Sequence, residues 1–182
     1  MTKEEFTAVV DRWYDPLYRF ALSLCSNSED ALDLTQNAFQ KLARNQEKIR
    51  DLSKSKSWLF SVLHREFIDN YRHAKRFPKT QFDTAPLPPD EQSKQTAERQ
   101  IDASLALEAL AQLDERFRAP ITLFYLQDFS YKEISETLEL PIGTVMSRLR
   151  RAKDQLRQIL ESPKKNTSSA PVPFPRKAQE NG

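Results

Sequence analysis

Near the end of this 182-residue chain, Arg148, Arg150, Arg151 and Lys153 crowd into one short stretch. Arg157 follows, and Asp154 is the only carboxylate between positions 141 and 158. A guanidinium group can pair bidentately with O6 and N7 of guanine in the major groove, and Ser or Thr can reach base edges or phosphates. Cations beside such a reader neutralise phosphates and fix its register. The apolar residues Val145, Leu149, Ala152 and Leu156 are spaced to form one stripe of a helix. At about 100° per residue, the opposite face carries Gly143, Ser147, Arg150, Arg151 and Asp154, flanked by Arg148 and Lys153. A solvated basic face on a core helix is the simpler alternative. The preceding segment Tyr131–Leu138, the short turn, Pro141 and the Thr144-Val145 start instead spell a helix-turn-helix that binds duplex DNA. Proline suits the first helical position, where its missing N–H costs nothing. Ser147, Arg150 and Arg151 are the base-edge candidates, and Arg148 and Lys153 the phosphate anchors. About four phosphate contacts would give a log–log salt slope of about −4.

Two further segments carry usable chemistry. Ser57–Arg76 is rich in aromatics, with Trp58, Phe60, Phe67 and Tyr71. Arg65, Arg72 and Arg76 fall nearly on one stripe with Ser61. Rings among cations suit melted nucleic acid, where bases stack and Arg tracks the backbone, although in a small domain most of these rings belong in the core. In Glu29–Arg44, Ala31, Leu34, Ala38 and Leu42 form the buried stripe, and Asp33, Gln36, Asn37, Gln40 and Arg44 face away. That face is poor in cations and fits a protein partner better than phosphate; a merely solvated face is equally open from periodicity alone. No nucleophile–base pair marks a catalytic site. His64 and His73 lack partners at metal-ligand spacing, so no metal or cofactor is expected. Cys25, the single cysteine, excludes an internal disulfide and reads as a small apolar core residue in a reducing cytosol.

These residues must be positioned by helices. Glycine occurs only twice, Leu, Ala, Glu, Gln and Arg abound, and no run alternates with a strand period. The expected fold is all-α: two small helical domains, residues 1–76 and 101–161, joined by a flexible, proline-containing linker at 77–100, with a disordered tail at 162–182. The first domain is acidic over residues 1–39 and basic over 40–63; the second is acidic over 101–140 and basic over 141–158. Such blocks point to nucleic acid for the basic stretches and another partner for the acidic ones. The linker spans roughly 25–30 Å if flexible and about 80 Å if stretched, so two modules could hold two separated sites on one duplex. Each domain has a small core and would lean on a partner. In the second, Ala106, Ala109, Leu110, Leu113 and Phe117 are expected on one supporting helix, and a helix begun near Pro120 carries Ile121, Leu123, Phe124 and Leu126. The N-terminus has no apolar signal segment and no apolar run is long enough to span a bilayer, so cytoplasmic localisation without membrane insertion is expected.

The pieces together resemble the sigma-70 superfamily of bacterial transcription initiation factors, in its compact extracytoplasmic-function (ECF) group, which has only regions 2 and 4. Asp30-Ala31-x-Asp33-Leu34-x-Gln36-x-x-Phe39 is similar to region 2.2. Trp58-Leu59-Phe60 through Ile68-Asp69-x-x-Arg72 is similar to regions 2.3 and 2.4. Leu113-Asp114 through Phe124-Tyr125, then Tyr131-x-Glu133-Ile134-Ser135 and Gly143-Thr144-Val145-x-Ser147-Arg148-Leu149-x-Arg151-Ala152, is similar to region 4. The resemblance implies a non-enzymatic sigma factor that binds core RNA polymerase and directs promoter recognition. Asp33, Gln36, Asn37 and Gln40 would dock on the β′ clamp helices, with the β subunit also in contact. Trp58, Ser61, Arg65, Asp69, Arg72 and Arg76 would serve the −10 element. Thr144, Ser147, Arg148, Arg150, Arg151 and Lys153 would serve the −35 element. It also admits an anti-sigma factor as a partner. The sequence departs from the family's usual residues at Asn37, Arg65, Phe67 and Glu139, the last standing where the turn commonly has glycine. That turn is expected to form without glycine's access to positive φ. A stand-alone helix-turn-helix regulator with a helical effector domain is the alternative.

Overall fold

A computed structural model describes residues 1–46, 51–76 and 97–161, with side chains described for all but 74–76 and 97–104. Most of the expected linker and the whole tail lie outside the described residues. Among the described residues seven helices follow one another: α1 (Lys3–Cys25), α2 (Ser28–Arg44), α3 (Ser55–Arg76), α4 (Ala97–Gln112), α5 (Glu115–Leu126), α6 (Tyr131–Leu138) and α7 (Ile142–Glu161), with a 3₁₀ turn at Leu52–Lys54. No strand occurs among the described residues.

Local chemistry explains where the helices start. Thr2 and Glu5 form a reciprocal capping box on α1, with the Thr2 hydroxyl accepting the Glu5 N–H at 3.2 Å and the Glu5 carboxylate accepting the Thr2 N–H at 2.7 Å. Asn27 caps α2 by accepting the N–H groups of Glu29 and Asp30. Two starts differ from those read in the sequence. The helix assigned to Pro120 begins at Glu115, because Asp114 accepts the Arg116 N–H at 3.1 Å and caps it there. Leu113 therefore sits in the break between α4 and α5, and Phe117 belongs to α5. Helix α4 begins at Ala97 rather than 101; Ala97, Glu98, Arg99 and Gln100 are all strong helix formers.

Helices α1, α2 and α3 pack as one group and α5, α6 and α7 as another, and the two groups pack on each other through α1 against α5 and α3 against α6. One hydrophobic cluster runs through both, from Val9, Leu17 and Phe20 to Ile134, Leu149 and Ala152. The stripe Ala31, Leu34, Ala38, Leu42 is buried, as are Val145, Leu149 and Ala152 of α7. Each small domain was expected to lean on a partner; here they lean on each other.

Candidate nucleic-acid interface

Helix α7 presents the face its periodicity demands. With Val145, Leu149 and Ala152 buried, Ser147, Arg150, Arg151 and Lys153 are exposed, and Thr144 and Arg148 are half-buried. The turn before it is built from α6. Ser130 and Glu133 make a capping box at its start. At its end Glu139 takes the left-handed conformation itself, with φ 54° and ψ 45°. The turn is thus made without glycine, by a residue that pays for the positive φ itself. Such backbone costs a non-glycine residue about 1–2 kcal/mol. It is held by the Leu140 N–H donating to the Ser135 carbonyl and the Ser135 hydroxyl donating to the Leu140 carbonyl at 2.6 Å. Helix α7 then starts at Ile142, one residue beyond Pro141, whose carbonyl accepts the N–H groups of Thr144 and Val145.

Several of the cations already have neighbours. Lys153 Nζ stands over the rings of Tyr125 at 5.4 Å and Phe124 at 5.9 Å. A hydrogen bond with the Tyr125 hydroxyl holds the pKa of Lys153 above its usual value. Burial lowers that of Arg148. Arg65, on α3, forms an ion pair with Glu139 in the helix-turn-helix turn.

The remaining expected residues fall on two helices. Asp33, Gln36 and Gln40 are exposed on α2, and Asn37 is half-buried beside them. On α3, Trp58 and Ser61 are half-buried, and Arg65, Asp69 and Arg72 are exposed. The side chain of Arg76 lies outside the described ones. Of the aromatics in α3, Phe60 and Phe67 are core and cannot stack on bases, whereas Tyr71 is 43% exposed and stacks on Phe67 at 6.3 Å. His64 is packed rather than exposed: burial first, then the nearby Arg148 guanidinium, pushes its pKa down to about 4. Burial likewise pushes the Cys25 thiol up to about 12, so it packs as an inert apolar group. Among the described residues no cluster of three or more His, Cys, Asp and Glu side chains converges to hold a metal, and no helix is long and apolar enough to cross a membrane.

The residues that join the two helix groups carried no assignment in the sequence. Lys56 Nζ donates to the Gln127 carbonyl at 2.6 Å and lies 4.2 Å from the centre of the Phe129 ring. Phe129, 2% exposed, meets Phe60 edge-on at 5.3 Å. The Gln127 amide donates to the Pro16 carbonyl at 3.3 Å. Arg118 donates to the carbonyls of Ala111 and Leu113 and, across the interface, to that of Leu24. One signal was present: Phe129 and Ile134 occupy the positions of a hydrophobic staple around the Ser130 cap.

A two-part helical chain of this order, ending in a helix-turn-helix, matches two family models. Sigma-70 region 2 matches residues 9–77 and sigma-70 region 4 matches residues 104–156. The chain belongs to the sigma-70 family of RNA polymerase sigma factors, in its ECF group. It is 32% identical to RNA polymerase sigma factor SigV of Bacillus subtilis over 146 residues, 80% of this chain and 84% of that relative. It is 31% identical to ECF RNA polymerase sigma factor SigL of Mycobacterium tuberculosis over 156 residues, 85% of this chain and 88% of SigL. Against ECF RNA polymerase sigma factor SigE of Mycolicibacterium smegmatis it is 31% identical over 162 residues, but spans 62% of that relative's length. Among solved structures, the sigma factor RpoE of Bartonella quintana, in complex with the anti-sigma factor NepR, superposes with a TM-score of 0.72 at 25% identity, over 87% of this chain and 98% of that one. Sigma factors are initiation factors that bind core RNA polymerase and promoter DNA, and they are not enzymes.

Proposed function

We propose that this chain is a dissociable ECF sigma factor that works in the cytoplasm in two modules. Residues 1–76 bind core polymerase and the −10 element, residues 77–96 tether, and residues 97–161 read the −35 element. In this reading Asp33, Gln36, Asn37 and Gln40 dock on the β′ clamp helices, and the C-terminal module lies against the β subunit. Trp58, Ser61, Arg65, Asp69, Arg72 and Arg76 serve the −10 element. Ser147, Arg150 and Arg151 read base edges at −35, with Thr144, Arg148 and Lys153 on phosphates. An anti-sigma factor covering these surfaces is a further partner.

The observation that carries the reading is the contrast between two exposed helix faces. That of α2 offers Asp33, Gln36 and Gln40; that of α7 offers Ser147, Arg150 and Arg151. An acid-and-amide surface repels phosphate and suits a protein, while an arginine surface suits duplex DNA. The test is the double substitution Asp33→Ala and Gln36→Ala in the full chain. Affinity for core polymerase is expected to fall roughly tenfold or more, with binding to a random-sequence duplex unchanged. Undiminished polymerase affinity would leave a stand-alone helix-turn-helix regulator as the better description.

A further inference from the structure

Two exposed apolar side chains on α7 have no role in the reading above. Ile142 is 51% and Met146 53% exposed. They lie one helical turn apart, and Met146 adjoins Gly143 on the turn before it and Arg150 on the turn after. Single apolar residues on a surface are ordinary. This pair is set apart by its place. It opens the second helix of a helix-turn-helix, whose N-terminal residues are the ones that meet base edges in the major groove. It also borders the exposed guanidinium groups of Arg150 and Arg151, whose charge draws this face onto nucleic acid.

Gly143 points the same way. Its backbone is helical without positive φ, and a Cβ added there would meet no atom of the chain within 4 Å. Glycine weakens a helix relative to alanine. The fold therefore gains nothing from glycine here, whereas a surface pressed against the first turn of α7 needs the room. In the major groove every base pair presents donors and acceptors, and only thymine adds an apolar group, its C5 methyl. Methionine, long and unbranched, can adapt its shape to such a group.

We propose that Met146, supported by Ile142, reads the C5 methyl of a thymine in the duplex bound by α7, with Gly143 leaving space for the base pair to approach. The inference rests on the DNA-reading role given to α7 above, and adds a residue and a base to it. Neighbouring side chains on a helix surface are about 5–6 Å apart. At ~3.4 Å per base-pair step, the thymine lies within about two steps of the base pair that Arg150 contacts.

The test uses the full chain with core polymerase. Duplexes randomised over the −35 element are selected by binding to the native chain, Met146→Ala and Arg150→Ala in parallel. The native chain is expected to select thymine at one position. Met146→Ala should lose that preference alone, and Arg150→Ala a preference within about two steps of it. Deoxyuridine in place of the selected thymine removes the methyl group and keeps the base pairing. It should weaken binding of the native chain roughly fourfold, the loss expected for one buried methyl group, and leave that of Met146→Ala unchanged. Gly143→Ala should raise the thermal midpoint of the free chain yet weaken binding to the selected site, opposite changes that a purely structural role does not give. An equal deoxyuridine effect on the native chain and Met146→Ala, no selected thymine, or undiminished site binding by Gly143→Ala overturns the proposal. If the chain binds no polymerase, the same selection is run on the chain alone. A deoxyuridine effect that Met146→Ala abolishes then keeps the methyl contact while the sigma reading fails. No selected sequence under either condition overturns both.

Discussion

His64 reports on the contact between the two helix groups through a single proton. It faces Arg65 of its own helix, and Arg148 and Glu139 of the other group. Burial and two guanidinium groups disfavour its charged form, and Glu139 only partly offsets them. Its pKa in the folded chain, about 4, lies below the ordinary 6.5. The unfolded chain therefore binds more protons between those values. The stability that neutral His64 contributes is complete above pH 6.5 and is lost as the pH falls from 6.5 towards 4. Relative to a His64→Gln variant, which cancels the carboxylate titrations common to both, the native chain is expected to lose roughly 1–2 kcal/mol between pH 7 and pH 5. Urea unfolding at the two pH values checks this; identical pH dependence in the two proteins would remove His64 from the contact. The sequence could say only that His64 lacked metal-ligating partners. Its neighbours Arg148 and Glu139 are more than seventy positions away, and only the fold brings them together.

At the scale of elements, α6 and its turn are short and rely on their caps. An eight-residue helix has little intrinsic stability. The Ser130–Glu133 capping box satisfies orphan N–H groups at one end, and the Ser135 hydroxyl ties the Leu140 carbonyl at the other. Ser130→Ala is expected to cost about 1 kcal/mol of stability, read as a lower urea midpoint with an unchanged slope. No measurable loss would mean that packing against α7 alone holds the helix. The helices with a clean 3.6-residue period, α2 and α7, were the most legible, because one stripe of each had to leave water; Leu156, expected in the α7 stripe, is only half-buried. Starts were less legible. The Asp114 cap that sets α5 was passed over in favour of Pro120, since proline is a strong signal at a helix start but does not have to mark one. The sequence showed that the turn at Glu139 lacks glycine, but not that Glu139 itself takes the left-handed conformation that glycine normally supplies.

For the whole molecule the decisive feature is reach. In the two-module reading a segment of full length lets the modules occupy two separated elements, and a shortened one does not. Deleting ten residues within 77–96 leaves a segment that stretches to about 35 Å at most. Such a variant is expected to keep its affinity for core polymerase and to lose most run-off transcription from promoters that use both elements. Full transcription from those promoters would show that the separation of the modules is not set by this segment. Polymerase binding, which uses the first module, and initiation, which needs both, should then part company.

What the amino-acid order determined alone was local and periodic. It placed the α7 face with Ser147, Arg150 and Arg151 outward and the α2 face with Asp33 and Gln36 outward. A helix period, a cap and a proline each act within a few residues, so they can be read along the chain. The docking of the two units was decided only in three dimensions. Lys56 and Gln127, or Arg65 and Glu139, are separated by more than seventy residues, and nothing local distinguishes a lysine that will clamp a carbonyl from one left in water. The helix-turn-helix is thus written in the sequence, but whether its turn faces DNA or the other half of its own chain depends on packing between surfaces that no single segment contains.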